Sequence, residues 1–376
     1  MRLGFLVAPL AGLALCAPAS AQPTPKGDDN AALKYWQAFG LMPTLAKDQE
    51  KVLHEWEKTP LNPAAHVLID QGKNSLKYLH RGAKLARCDW SLDYEDGVGL
   101  LLPHAGKARA LAQLAALRAR SEFEKGDAKA GVADVVAMLH LARHVQTDPI
   151  LIDQLVGYAI EMIAVQAAAP YLPGAKDALG ELATTLDGLP PRTPLARSLE
   201  LENQSFLGWM IRELKATEKA HPGSWQKLWK EVLSAPTEGP PVEAATTVKT
   251  FDDAVKVAEG LIPMYAELAK LTELPPKEFD AKYPEFAKKA QAANPLAKDV
   301  LPAVDNVMAA RRRTDARLAM LKAAIAVVQH GPDAVKESKD PFGDGPFEYK
   351  ATDGGFELKS KLLFRDQPVT LVVGKK

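Results

Sequence analysis

Between Lys107 and Arg143 apolar residues recur at three- and four-residue spacings in two runs separated by a Gly-Asp step. Leu111, Leu114, Ala115 and Leu117 share one side of the first run, while Arg109, Gln113 and Arg120 point elsewhere. Val132, Val135, Val136 and Leu139 share one side of the second. That period predicts two amphipathic helices. Gly126 tolerates the positive φ of a helix end, and Asp127 offers a cap to the next start. Such a hairpin cannot bury both stripes against itself, so further helices must cover it.

The rest of the chain supplies them. Asn30 can cap a helix carrying Leu33, Trp36 and Phe39, and Pro43 ends it. Thr44 opens a second through Val52, Leu53 and Trp56, and Asn62-Pro63 a third through Leu68, Leu76 and Leu79. Residues 82–103 are irregular. Asp148-Pro149 repeats the cap-and-proline start and opens a helix through Ile152, Leu155, Ile160 and Val165. The proline-rich connector 189–194 holds the chain extended. A helix over 195–219 follows, then one with Trp225 and Trp229, and helices resume beyond a Pro-, Gly- and Thr-rich stretch at 235–247. Residues 294–330 read as a long helix kinked at Pro302. Then the period shortens: Phe347–Tyr349, Phe356–Lys359 and Val369–Val373 alternate or cluster as short strands do.

The predicted fold is therefore mainly α, an irregular α-solenoid or helical bundle with a small C-terminal antiparallel β module. The expected divisions are a helical body over 22–234 containing the hairpin 107–143, a linker at 235–247, C-terminal helices over 248–330 and the β module over 340–376. Some 355 residues exceed what one compact core usually carries.

The first 21 residues read as an export signal: Arg2 precedes an apolar run to Leu15, and Ala19-Ser20-Ala21 predicts cleavage before Gln22. Cys16 raises lipidation as the rival, with Leu15 at the position where a small residue is wanted. Removing the signal leaves 46 basic and 47 acidic residues, a net charge of −1. That balance excludes the basic excess of a nucleic-acid binder. No later stretch reads as a transmembrane anchor, so the expected location is the periplasm or cell envelope. Cys88 is the one cysteine left, which rules out an internal disulfide.

Reactive groups crowd together in one place, between Cys88 and His104. Asp89, Asp93, Glu95 and Asp96 could serve a hard cation, with Asp93 and Asp96 the foremost metal candidates. Cys88 and His104 could serve a softer ion, or act as nucleophile and base. Trp90 is available to pin the loop. The alternative is that these carboxylates cap helix starts. No cofactor is expected, and a divalent metal is the one addition the loop allows. His140 and His144, spaced i, i+4, read as inter-helix hydrogen-bonding groups, and Arg311–Arg313 as a solvated collar with ion pairs.

Phe123, Gly126-Asp127, Gly131 and Leu139 make the hairpin resemble a tetratricopeptide-type repeat, although no second copy at that period follows. The segment Asp340-Pro-Phe-Gly, then Pro346 to Tyr349, then Gly355-Phe-Glu-Leu-Lys-Ser360 resembles the tail of type II secretion major pseudopilins, which implies a small sheet packed on a long helix. Lys361–Asp366 replaces that family's calcium loop, so calcium is not implied. As a whole, the order of signal, helical body, hairpin and tail resembles a family of exported bacterial helical proteins. That resemblance implies export and no particular activity.

Two functions from different classes follow. The leading one is an exported non-enzymatic scaffold that holds a protein or peptide partner in a groove between helices. The alternative is a metal- or cysteine-dependent enzyme with its site at 88–104.

Overall fold

The computed structural model describes residues 29–58, 60–233 and 243–374; the expected export signal and residues 235–242 of the expected linker lie outside them. The protein is mainly α, with a small C-terminal three-stranded antiparallel sheet. Four short helices come first: α1 (Ala31–Gly40), α2 (Lys47–His54), α3 (Pro63–Gln71) and α4 (Lys73–Ala83). Asn30 caps α1 by accepting from the Ala32 amide, and Asn62 caps α3 by accepting from the Ala65 amide. Thr44 does not cap α2, whose cap position is Ala46; there the Gln49 side chain returns to the Ala46 amide.

The hairpin comprises α5 (Pro103–Glu124) and α6 (Ala128–Val145). α5 begins four residues before Lys107, because Pro103 occupies its first turn; His104 is thereby drawn into the helix. Asp127 caps α6 through the Ala130 amide at 2.9 Å, and Gly126 has φ of 86°. Gly131 faces the Phe123 ring so closely that a Cβ would lie 2.8 Å from it. Helices α1–α4 cover one side of α5, while α6 and α7 (Leu151–Ala168) cover the other. Leu111, Leu114 and Leu117 are consequently all buried.

Asp148 does not cap α7, contrary to the sequence pattern. That helix starts behind Ile150 with no side-chain cap, and the Asp148 carboxylate instead accepts from the Tyr94 hydroxyl at 2.5 Å. The segment from α7 onward is long and apolar enough to cross a membrane by length and composition, and most of it is buried inside the protein. The charges of α7 itself, Asp153 and Glu161, interrupt its apolar run, yet both are fully buried and lie within ion-pair distance of His104 and of Arg143.

The remaining helices are α8 (Leu179–Gly188), α9 (Leu195–Leu201), α10 (Gly208–Ala220), α11 (Trp225–Leu233), α12 (Glu243–Thr247), α13 (Phe251–Glu259), α14 (Leu261–Thr272), α15 (Pro276–Ala293) and α16 (Ala297–His330). A π-helical turn, Glu202–Leu207, joins α9 to α10. Apolar residues gather in two cores. The first takes α1–α8, the second half of α16 and the sheet. The second takes α9–α15 with Leu301, Val304 and Val307 of α16, and buries Trp225 and Trp229. The cores thus meet at the proline connector and along α16, and the residues on both sides of 235–242 share the second core.

The strands β1 (Glu348–Thr352), β2 (Gly355–Phe364) and β3 (Gln367–Gly374) pair in sequence order. Phe356, Leu358, Val369, Leu371 and Val373 form the buried face, which packs on α16. The motif that begins at Asp340 acquires a physical meaning here. The buried Asp340 carboxylate accepts from the Phe342 amide, the Ser360 hydroxyl and the Lys361 amide, tying the entry loop to the middle of β2. A two-residue turn, Arg365 and Asp366, both at positive φ, closes β2 onto β3.

Candidate functional site

The loop 88–104 is a structural clasp. Asn30 and Asp89 exchange two hydrogen bonds of 2.9 Å, docking the start of the loop onto the start of α1. Asp89 also accepts from the Ser91 amide and from Arg87 at 2.8 Å. Asp93 accepts from the Glu95 amide at the start of a 3₁₀ segment, Tyr94–Gly99, with Glu95 and Asp96 in its first turn. The carboxylates are thus spread along the loop, and among the described residues no three His, Cys, Asp or Glu side chains gather as a metal site. Gly97, at φ of 57°, lets the turn pass beneath Trp209, whose ring occupies the place a Cβ would take.

Trp90 is buried in the core and faces no solvent. It stacks on His104 with ring centroids 4.4 Å apart, lies against Tyr35 and Phe39, and donates to the His144 carbonyl at 2.9 Å. Cys88 is half-buried against the same core. Burial, with Asp148 and Asp89 nearby, pushes the thiol well above its ordinary range, against the pull of the Ala32 amide. A nucleophilic cysteine needs the opposite environment. The aromatic group is completed by His144, whose Nδ1 lies 2.7 Å from the Tyr35 hydroxyl.

Beneath the loop sits a buried polar group. His104 Nε2 is 3.1 Å from Asp153 Oδ1, an ion-pair distance without hydrogen-bond geometry. Burial raises the Asp148 carboxyl, opposed by the Tyr94 hydroxyl and raised further by Asp153. His104 stacks on Trp90 and faces Asp153, whereas Cys88 lies among Ala32, Asp89 and Asp148, and no hydrogen bond joins the two among the described residues.

A second polar group lies where α4, α5 and α6 meet. Arg118 grips the buried Asp134 with two nitrogens, and His80 Nε2 lies 2.6 Å from the same carboxylate. The third spans the junction of the cores. Glu161, fully buried on α7, takes Arg143 at 3.0 Å and Arg192 at 2.6 Å; Arg192 also pairs with Asp315 of α16 and lies over the Tyr158 ring. These carboxylates and guanidiniums pair with one another, with the Arg143 Nε alone of their buried atoms left without a partner among the described residues.

The open concavity is elsewhere, where α7, α16 and the β2–β3 turn converge. A cavity of about 440 Å³ there is lined by Leu155, Met162, Arg313, Arg317, Phe364 and Val369 among others. A second of about 600 Å³ continues past Arg317, Gln166 and Thr370 towards Trp56, Glu57 and Tyr171. The two share these three residues and form one cleft. The run Arg311–Arg313 divides at this point. Arg311 faces Asp315 at 3.9 Å and Arg312 pairs with Asp280 at 2.8 Å, in keeping with a collar of ion pairs. Arg313 instead turns to the cleft, with its guanidinium carbon 3.9 Å from the centre of the Phe364 ring. Burial, then Arg365, lowers its pKa; burial, then Arg313, lowers that of Arg317. Sequence reasoning missed this site. Its one trace was the arginine run, whose members a helix points in different directions.

Compared with known protein families, with curated proteins and with solved structures, the chain matches none.

Proposed function

We propose that the protein is an exported, non-enzymatic binding scaffold of the periplasm or cell envelope, which holds a segment of a protein or peptide partner in the cleft between α7, α16 and the β2–β3 turn. The observation that carries this reading is the cleft itself: two adjoining cavities between α7, α16 and the end of β2, lined by apolar side chains together with the guanidiniums of Arg313 and Arg317. Concave sites with a few convergent polar groups are where ligands bind. A partner segment can reach across both cavities, since they share Gln166, Arg317 and Thr370. The reactive residues of the loop 88–104, by contrast, are engaged in capping and packing.

A photo-crosslinking amino acid placed at Gln166, exposed in the cleft, is expected to yield a discrete partner adduct in envelope preparations. The same amino acid at Lys227, exposed on the second core, is expected to yield none. Identical adduct patterns from both positions would overturn the assignment of the cleft.

A further inference from the structure

Arginine side chains in this protein are paired where they are enclosed. Arg118 has Asp134, and Arg143 and Arg192 share Glu161. Arg313 and Arg317 break that pattern, because neither makes an ion pair among the described residues, and the exposed Arg365 beside Phe364 makes none either. Arg313 Nε is spent on its own helix, bonding the Ala309 carbonyl at 3.2 Å. The buried Arg317 Nε has no partner, and its Nη1 reaches only the Met162 sulfur at 3.9 Å. Glu57 at the far end of the cleft and Asp366 beside Arg365 are the nearest candidates for neutralising them, and neither forms an ion pair with them.

The arrangement is costly in two ways. Arg313 and Arg317 stand at i, i+4, where like charges destabilise a helix. Enclosed guanidiniums also lose hydration that no carboxylate replaces. Arg313 is nevertheless held in place. Phe364 lies beneath the guanidiniums of Arg313 and Arg365, at 3.9 and 5.3 Å, and the turn carrying Arg365 has two consecutive non-glycine residues at positive φ. A ligand anion would supply the missing counter-charge.

We propose that Arg313 and Arg317, flanked by the exposed Arg365 on the Phe364 ring, form an anion-recognition site, and that it takes the side-chain carboxylate of an acidic residue in an extended partner segment lying in the cleft. This rests on the reading of the cleft as a binding surface and names the chemistry of its occupant. A planar guanidinium matches a carboxylate with two parallel hydrogen bonds. The neighbouring wall of Leu155, Met162 and Val369 calls for an apolar group beside the charge, which a peptide supplies and a free inorganic anion does not. Gln166 and Thr370, shared by the two cavities, can meet the peptide backbone.

The test uses the mature full-length chain and a fluorescein-labelled decapeptide of alternating Glu and Ala, blocked at both ends, with its Gln-Ala counterpart and inorganic phosphate as competitor. The Glu peptide is expected to bind at least tenfold more tightly than the Gln peptide, and more weakly as salt rises. Arg313→Gln with Arg317→Gln should remove that preference, whereas Arg312→Gln, which breaks the pair with Asp280 outside the cleft, should keep it. The far-ultraviolet circular dichroism and melting of each variant distinguish lost binding from lost fold, and Arg317→Lys, which keeps the charge, should retain part of the preference. Equal binding of both peptides, with crosslinking at Gln166 intact, overturns the anion site and leaves the binding cleft standing. Phosphate binding that displaces the peptide at equal concentration overturns the assignment to an acidic side chain. Crosslinks indifferent to position overturn the cleft itself.

Discussion

His144 is held as a neutral ring. The Tyr35 hydroxyl lies 2.7 Å from Nδ1, and the Leu85 backbone lies against the same ring. Burial, then His140, lowers its pKa to about 4. An unfolded histidine titrates near 6.5, so between about 6.5 and 4 the unfolded chain binds a proton that the folded chain refuses. Stability is therefore lost as pH falls through that window, by about 3 kcal/mol for this group. Asp148 and Glu202, both raised by burial, act in the opposite sense, so the variant comparison is what isolates the histidine. Urea midpoints of the wild type and His144→Gln at pH 7 and pH 4.5 check this: the wild type should lose more on acidification, and equal losses would sever the link. The spacing of His140 and His144 was legible in the sequence. The partner Tyr35, 109 residues away, was not, because side-chain periodicity carries no information about which distant helix a face will meet.

Helices respond to a methyl group according to what faces it. Gly131 and Gly106 both lie in helices of the central hairpin, α6 and α5. A Cβ at Gly131 would press on the Phe123 ring at 2.8 Å, whereas one at Gly106 meets open space. Gly131→Ala should therefore cost about 1–3 kcal/mol through overpacking. Gly106→Ala should stabilise by about 0.4–1 kcal/mol through helix propensity and the unfolded chain's lost freedom. Thermal unfolding of the two variants should shift in opposite directions; shifts of the same sign would mean that the Phe123 contact does not set the helix crossing. The role of Gly131 followed from its place in the hairpin pattern. The start of α7 did not follow from Asp148-Pro149, because the half-buried Tyr94 hydroxyl claimed the carboxylate that the pattern had assigned to a cap.

Across the whole molecule, the two cores are tied by Glu161, Arg143, Arg192 and Asp315 at the point where the proline connector crosses α7 and α16. Glu161→Gln leaves two enclosed guanidiniums without their shared carboxylate, and breaking a buried pair in this way costs about 3–5 kcal/mol. Arg197→Ala, which breaks an exposed pair with Glu200, should change stability by less than about 1 kcal/mol. Denaturant midpoints of the two variants measure the difference, and comparable small effects would show that the junction does not depend on the charge network. The cleft belongs to this scale as well, since its walls come from α7, α16 and the β2–β3 turn.

The sequence by itself determined the local elements. The 3.6-residue period, asparagine and aspartate caps, and the change to alternation after residue 340 specify helices and strands because those signals act over three or four neighbours. They gave the mainly α body, the Gly126-Asp127 hairpin and the C-terminal sheet. What the tertiary structure decided was the fate of polar side chains. The acidic loop 88–104 looked like chemistry because its carboxylates are close in sequence, yet Asp89 and Asp93 are consumed by amides of their own loop and Trp90 by the core. Arg311, Arg312 and Arg313 look alike in sequence, yet one helix sends two of them to carboxylates and the third into a cleft closed by a turn more than fifty residues later. Whether a charge is spent or free depends on what the fold brings within about 4 Å, and only packing sets that distance.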